Sequence, residues 1–352
     1  MHIPDGFLSP ATCAALYGAA APFWFTAMRR VKLALTSRLV PLLSVFSAFS
    51  FVIMMFNLPL PGGTTGHAVG VGIAAIVLGP WASMLAISVA LLIQAVFFGD
   101  GGITTLGANC FNMAIAGSLA AYWVYIGLSG RAPLVSRRRV IAAAVAGYAA
   151  INVAALLAAI EFGLQWLWYR SPTGVPLYAP FPLHIAIPAM MIGHLTFAGL
   201  AELVVTGGVV AYLQRSDSKL LKATSRGGDA AAQEPLAPGW RATRPLWTGL
   251  AILMVLTPLG LLAAGSAWGE WRPQDFADPA MREQIKRSSG YAEPPAQAPA
   301  RLEALSRIWT APIPDYAPPF MRSAAFGYIM SSMVGVGLTI LAILLLGKLG
   351  RK

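Results

Sequence analysis

The sequence predicts an all-α protein, a polytopic transmembrane helical bundle with seven spans, a two-span C-terminal module and its N-terminus outside. Three observations predict this fold class. Of the 352 residues, 57% are hydrophobic and only 11% are charged, whereas soluble domains carry about 25% charged residues. Several apolar stretches reach about 18 residues, enough to span a bilayer. Clusters of Arg and Lys recur in alternate loops between these stretches, which places them on one side of the membrane.

The first span is followed by Arg29, Arg30 and Lys32, so the positive-inside rule predicts that this loop is cytoplasmic and that Met1 lies outside. The third and fourth stretches are separated at Gly79-Pro80, since proline cannot continue a helix, and are predicted to form a tight helical hairpin. The seven predicted spans are 11–28, 39–57, 68–78, 81–98, 108–128, 140–164 and 182–213.

A polar segment rich in Ala, Gly and Pro, residues 216–244, predicts a cytoplasmic linker. It separates a metal-binding membrane domain, residues 1–215, from a module of residues 245–352. In that module a long outer loop separates two predicted spans, 245–265 and 324–346. The net charge of +11 is explained by membrane orientation, because the basic residues cluster in predicted cytoplasmic loops. Nucleic acid is not an expected partner.

The strongest chemical signal is His2 in the opening Met1-His2-Ile-Pro-Asp-Gly-Phe-Leu-Ser-Pro, together with His67 at the end of Pro-Gly-Gly-Thr-Thr-Gly-His. The Met1 amine, the His2 amide nitrogen and His2 Nδ1 can close fused five- and six-membered rings around one cation. His67 can fill the remaining in-plane position. Four planar nitrogens favour Ni²⁺ or Cu²⁺ over tetrahedral Zn²⁺ or oxygen-seeking Mg²⁺. The sequence shows no charged N-terminal region followed by a cleavage site, so Met1 is not expected to be removed with a signal peptide.

Other candidate residues carry weaker signals. The glycine-rich segment before His67 lacks the Gly-Lys-Ser/Thr ending of a phosphate-binding loop, so no ATP site is expected, and His67 is expected in an exposed outer loop. His184 and His194 share a helix face only roughly and are expected in structural or supporting roles. Glu202, deep in the seventh span, is expected to pair helices or contact a partner subunit. Cysteines 13 and 110 are expected in the core, without a disulfide.

The opening nine residues and the Pro61–His67 segment resemble the signature of the NikM/CbiM substrate-binding subunits of energy-coupling factor transporters for nickel and cobalt. The similarity covers about residues 1–220. It implies a metal held by the Met1 amine, the His2 backbone nitrogen, the His2 imidazole and the His67 imidazole, with Ni²⁺ or Co²⁺ as transported substrate. It also implies a transmembrane coupling (T) component and cytoplasmic ATPase subunits as partners.

The region from about residue 245 resembles the two-span NikN-type partner, which often carries a Pro-Asp-Gly-Leu-Glu signature. Pro314-Asp315-Tyr316 fits that module, whereas Pro273-Gln274-Asp275-Phe276 stands where the signature is expected. This departure puts any role borrowed for the outer loop in doubt.

The leading hypothesis is a substrate-capture subunit, not an enzyme, in the cell inner membrane. A self-sufficient metal carrier or channel is the alternative, although few ionisable residues occur along a pathway. A membrane metalloenzyme is a third class, but four protein nitrogens leave no open position for water, which catalytic sites keep. Nickel and cobalt both fit the predicted site.

Overall fold

The computed structural model describes residues 1–34, 39–225, 240–318 and 320–349, which are mainly helical. A short antiparallel hairpin, β1 Leu58–Leu60 and β2 Thr64–Gly66, pairs Leu58 with Gly66. The α-helices in chain order are α1 Pro10–Ala34, α2 Leu39–Ile53, α3 Val71–Leu78, α4 Pro80–Ile93, α5 Leu106–Asn109, α6 Gly117–Ser129, α7 Arg137–Trp168, α8 Leu183–Gly193, α9 Gly199–Ser216, α10 Trp240–Leu256, α11 Pro279–Ser288, α12 Ala300–Leu305 and α13 Ala324–Leu349.

Six helical segments in the described ranges are long and apolar enough to cross a membrane. A multi-pass helical membrane protein is therefore confirmed, while the total of seven spans plus two stays a prediction. The six segments are Pro80–Phe98, Leu106–Ser129, Arg137–Trp168, Leu183–Ser216, Thr243–Leu262 and Ala324–Lys348.

The predicted helical hairpin breaks where expected but has unequal arms. α3 ends at Leu78 and α4 begins at Pro80, and Gly79 between them has a φ of 78°. The eight residues of α3 make a helix of about 12 Å, well short of the ~30 Å hydrocarbon core. α3 is therefore too short to cross the membrane by itself, and the structure does not confirm the predicted span at residues 68–78. This short helix is instead buried among its neighbours, with seven of its residues in the core from Val71 to Val77.

The core lies where α7 packs against α6, α8 and α9 through a face of small residues, including Ala146, Gly147 and Ala150. Small side chains let the helix axes approach closely, as is usual in membrane bundles. Both cysteines, 13 and 110, are free and buried, as predicted. α2 has 15 residues and is shorter than the ~20 that a transmembrane helix needs.

Three π-helical turns interrupt the membrane helices: Gln94–Phe98 after α4, Cys110–Ala116 before α6 and His194–Ala198 between α8 and α9. Such turns occur frequently at functional sites, because the extra residue changes the direction of neighbouring side chains. The first two turns flank the loop of residues 99–105. The third contacts the β-hairpin.

The segment predicted as a long outer loop, residues 266–321, is folded and packs on the bundle end that carries Met1. It contains α11 and α12, and Thr65 of β2 forms an isolated parallel bridge with Ala267. The Trp268 ring packs edge-on against Phe162 at 5.7 Å between centroids. This aromatic contact attaches the C-terminal segment to the end of α7.

Several sequence predictions fall outside the described residues. These are Arg38, residues 226–239 of the predicted linker, and the terminal Arg351 and Lys352. The described start of the linker is not extended, because Ser218–Thr224 forms a 3₁₀ helix whose Leu221 is buried.

Candidate metal centre

The N-terminal segment lies buried across the bundle end and is fixed by side chains of other elements. Asn109, at the end of α5, accepts a hydrogen bond from the Ile3 amide at 2.8 Å and donates to the Ile3 carbonyl at 3.1 Å. The same carbonyl accepts from the Gly102 amide at 3.0 Å. These contacts satisfy buried main-chain groups that would otherwise be costly to bury, so residues 1–3 are held in one conformation.

Asp5 joins the N-terminal turn to the loop of residues 99–105. Its carboxylate accepts hydrogen bonds from the amides of Ile103 at 3.1 Å and Thr104 at 2.7 Å. A Cβ atom on Gly102 would lie 2.4 Å from the Asp5 amide nitrogen. Glycine is therefore required at this close approach.

His2 is 1% exposed, and neither ring nitrogen has a hydrogen-bond partner. Its Nδ1 lies 3.6 Å from Asp100 Oδ1, which is too long for a hydrogen bond. Burial lowers the pKa of His2 to about 4, with a smaller opposing effect from Glu270. The imidazole is therefore neutral near pH 7 and has a buried lone pair without a hydrogen-bond partner, which can bind a metal ion.

His67 lies just after β2 and is only 5% exposed, so the prediction of an exposed loop is wrong. The hairpin fold and the C-terminal segment together bury it. Its Nδ1 lies 3.1 Å from the Ala68 carbonyl, which can only accept, so Nδ1 carries the hydrogen and Nε2 keeps the lone pair. Burial lowers the pKa of His67 well below its usual value; the charges of His2, the terminal amine and His194 contribute in the same direction.

Glu202 fixes the turn that follows His67. Its carboxylate accepts hydrogen bonds from the amides of Val69 at 2.7 Å, Gly70 at 2.9 Å and Gly72 at 3.2 Å. These amides belong to the start of α3, where unpaired N–H groups and the helix dipole favour a negative charge. The predicted role in helix pairing is thus replaced by a specific one: Glu202 caps α3 and holds the main chain next to His67.

The rings of His2 and His67 come together, with centroids 5.2 Å apart. The Met1 amine and the His2 amide each donate to the same carboxylate oxygen, Glu270 Oε1, at 3.0 Å. Both main-chain nitrogens therefore point to one position beside the two imidazoles. Nitrogen ligands bond a transition-metal ion at about 2 Å, so a cation held by both nitrogens would take the place that Glu270 Oε1 occupies here.

The C-terminal segment also reaches the site through Tyr316. Its hydroxyl donates to Asp100 Oδ2 at 2.6 Å and accepts from Gln94 Nε2 at 2.9 Å. Burial raises the pKa of Asp100, and the Tyr316 hydrogen bond opposes this rise. Glu270 and Tyr316 carried no sequence signal for this site, because each lies more than 200 residues from its partner.

No group of three or more His, Cys, Asp or Glu side chains forms a metal site within residues 1–34, 39–225, 240–318 and 320–349. A cation at the position described would therefore need the main-chain nitrogens as well as the two imidazoles. Four nitrogens match the preference of Ni²⁺ and of related divalent ions.

An open cavity of about 520 Å³ leads to this position. It is lined by His67, Asp100, Glu270, Asp275 and Tyr316, among other residues. The carboxylates make the entrance attractive to cations.

The remaining predicted candidates lie elsewhere. His184 lines a separate cavity with Arg287 and Tyr291. His194 is buried in its π-helical turn. Glu161 of α7, which was not among the predicted candidates, accepts a hydrogen bond from Asn112 at 2.8 Å.

Comparison with known proteins divides the chain into two matched regions. Residues 2–220 match the family described as the cobalt uptake substrate-specific transmembrane region. Residues 243–352 match the PDGLE domain.

Similar proteins extend over most of the chain. The fused nickel transport protein NikMN of Rhodobacter capsulatus is 54% identical over 344 residues, which cover 97% of this chain and 96% of that protein. The cobalt transport protein CbiM of Geobacter sulfurreducens is 34% identical over 277 residues, covering 76% and 74%. A crystal structure of a truncated transition metal transporter is 49% identical, with a TM-score of 0.57, and covers 61% of this chain and 99% of that one.

Proposed function

Because the chain belongs to the family of the cobalt uptake substrate-specific transmembrane region, whose members are transporters of nickel and cobalt and not enzymes, we propose that it captures Ni²⁺ or Co²⁺ for an energy-coupling factor importer. In this proposal the Met1 amine, the His2 amide nitrogen, His2 Nδ1 and the His67 imidazole hold the ion in a plane.

The observation that carries this proposal is the convergence of the Met1 amine and the His2 amide on one oxygen, 3.0 Å from each. When an amide or amine loses a hydrogen, the lone pair of its nitrogen points where the N–H bond pointed. A cation that replaces the hydrogens of the Met1 amine and the His2 amide is therefore in reach of both nitrogens, with His2 and His67 beside it. Binding releases the protons, and Glu270 moves back to make room.

The distribution of basic residues supports a site that faces outward. The Met1 end of the bundle includes the end of α7, where Gln165 accepts from the Ser9 amide at 2.8 Å. Arg137 and Arg138 lie at the opposite end of α7, and Arg29 and Arg30 lie at the far end of α1. By the positive-inside rule the basic end is cytoplasmic, which corresponds to a protein of the cell inner membrane with Met1 outside.

Capture alone does not provide energy for uptake, and the chain contains no Gly-Lys-Ser/Thr phosphate-binding ending. We therefore assign energy coupling to a T component and to ATPase subunits. Within the chain, residues 1–215 are the capture domain, residues 216–244 the linker and residues 245–352 the two-span module, whose Glu270 and Tyr316 contribute to the site.

The test compares three purified proteins: the native chain, a variant with one alanine inserted between Met1 and His2, and His67→Ala. Nickel affinity is measured by calorimetry, and visible absorption reports a planar nickel centre. The insertion deletes no side chain but separates the amine from the His2 chelate, so it should weaken binding as much as His67→Ala does. Full affinity and an unchanged band after insertion would show that the terminus is not a ligand.

A transport assay separates the proposal from a self-sufficient carrier. The native chain in liposomes without ATP should not concentrate Ni²⁺ or Co²⁺, and addition of the coupling and ATPase subunits with ATP should restore uptake. Concentrative uptake by the isolated chain would favour the carrier.

A further inference from the structure

His194 is a buried histidine that the terminal site does not use. It begins the π-helical turn His194–Ala198 in the long helix that continues into α9, and it is 3% exposed. Ionisable side chains inside a membrane bundle are costly and frequently functional. We therefore expect this imidazole to have a role other than packing.

The tautomer of His194 leaves one nitrogen free to bind a cation. Its Nδ1 lies 2.8 Å from the Met190 carbonyl, and because a carbonyl can only accept, Nδ1 carries the hydrogen. Nε2 then carries the lone pair of the ring, and this atom is buried without a hydrogen-bond partner. Metal-binding histidines are usually oriented in this way, with the other nitrogen donating to a carbonyl or carboxylate. His67 has the same arrangement with the Ala68 carbonyl.

The turn that carries His194 faces the hairpin that carries His67. A Cβ atom on Gly193 would lie 2.7 Å from Leu60 of β1, and one on Gly66 of β2 would lie 3.7 Å from Ala198. The hairpin therefore packs directly on residues 193–198.

A second unpartnered acceptor lies beside the same turn. Asn152 of α7 donates through Nδ2 to the Tyr148 carbonyl at 2.8 Å, while its Oδ1 is buried without a partner. A Cβ atom on Gly199, at the end of the turn, would lie 3.0 Å from Asn152 Nδ2. Two lone pairs without donors thus lie near one turn inside the bundle.

We propose that His194 Nε2 is an inner nitrogen ligand for the transported cation. This nitrogen receives Ni²⁺ or Co²⁺ from the terminal site while His67 stays bound to the ion. This inference rests on the proposed function, since it deepens the path of the same ion. His67 is the shared ligand, because the N-terminal chelate is fixed by Asn109 and cannot follow the ion inward. The imidazole pair suits borderline divalent ions and discriminates against Mg²⁺.

The experiment isolates the inner pair by disabling the terminal chelate. The full-length His2→Ala protein is loaded with Co²⁺ alone, and X-ray absorption counts the imidazole ligands while calorimetry gives the affinity. Two imidazoles are expected in His2→Ala. Adding His194→Asn should reduce the count to one and weaken affinity at least tenfold, because Asn keeps a donor for the Met190 carbonyl but lacks the Nε2 position.

His184→Asn on the His2→Ala background is the matched control, since His184 lines a different cavity, and it should change neither the count nor the affinity. One imidazole in His2→Ala, or no binding by that variant, overturns the proposal, and this measurement requires no change at residue 194. Equal affinity with and without His194 also overturns it. Failure of the proposed function is detected separately: the variant with one alanine inserted between Met1 and His2 would then show the same nickel centre as the native chain.

Discussion

The amine of Met1 and the carboxylate of Glu270, 269 residues apart in sequence, lie 3.0 Å apart and form an ion pair at the candidate metal centre. Met1 is completely buried at its side chain and Glu270 is 22% exposed. The contact links the region matched to the cobalt-uptake family with the region matched to the PDGLE domain. Both regions therefore determine the charge at the proposed position of the cation.

Glu270→Gln is expected to change the affinity for Ni²⁺ or Co²⁺ by less than about tenfold. In the proposed binding the dication replaces one proton on the Met1 amine and one on the His2 amide, so the net charge beside the carboxylate is +1 before and after binding, and the lost attraction and the lost competition nearly cancel. Calorimetry at neutral pH measures the change. Glu303→Gln, which removes an exposed carboxylate paired with Arg307, is the control and should have no effect. A larger change by Glu270→Gln in either direction would show that the two effects do not cancel.

Asn109→Ala is expected to destabilise the protein by about 2 to 4 kcal/mol, since it leaves the buried Ile3 amide without its acceptor and removes a donor from the Ile3 carbonyl. Metal affinity should fall at least tenfold, because the terminal nitrogens are no longer fixed. Denaturation and calorimetry measure the two effects. Asn109→Asp keeps the acceptor alone and should give an intermediate loss. Unchanged affinity in Asn109→Ala would contradict the fixing role.

Glu202→Ala is expected to cost about 2 to 4 kcal/mol and to weaken metal binding, because three amides at the start of α3 lose their acceptor. Thermal unfolding and calorimetry on the purified variant test both effects. The exposed Glu283, paired with Arg287, provides a control in Glu283→Gln. If Glu202→Ala unfolds earlier but binds the ion normally, Glu202 supports the fold and not the His67 position.

The metal-free protein is expected to lose stability as the pH falls from about 6.5 towards 4. Burial lowers the pKa of His2 from 6.5 to about 4, so in this window the unfolded chain binds a proton that the folded chain does not. Above about pH 6.5 neither state is protonated and the effect vanishes. Unfolding midpoints of native protein and His2→Asn, measured across this range, give the His2 contribution by difference. Parallel curves would contradict it.

Reporter fusions test orientation. A periplasm-only reporter placed after Gly174 or Pro295 should give signal, whereas one after Val135, which is exposed near the basic end, should not. Gly102, in the loop of residues 99–105, is an unsuitable position because it packs against Asp5. The reversed pattern would place Met1 and His67 in the cytoplasm and exclude capture from outside.

The pairing of His2 with His67 was predictable because both residues stand in local patterns, a chelating terminus and a glycine-rich turn. Membrane helices were predictable from apolar length, and the break at Gly79-Pro80 from proline chemistry. The short length of α3 was not predictable. A helix buried inside the bundle and a helix that spans the membrane both need apolar residues, so composition does not separate them.

Glu270 and Tyr316 were beyond sequence reasoning for a different reason. Glu270 stands in no recognisable pattern and Tyr316 only in one that assigns it to the C-terminal module, and the contacts of both residues depend on how a folded segment packs on the bundle end. The burial of His67 follows from the same packing. Glu202 was expected to pair helices or to contact a partner subunit. The groups that donate to its carboxylate are main-chain amides, which no side-chain pattern reveals.

The parallel bridge between Thr65 and Ala267 has a consequence for chimeras between relatives. His67 and Glu270 follow the two bridged residues by short, fixed lengths of chain, and the Glu270 amide closes a turn onto the Ala267 carbonyl at 3.0 Å. A C-terminal region transplanted from another fused protein will therefore place its carboxylate correctly only if the same number of residues follows the bridge. Modular exchange in this family is limited by main-chain spacing more than by overall identity.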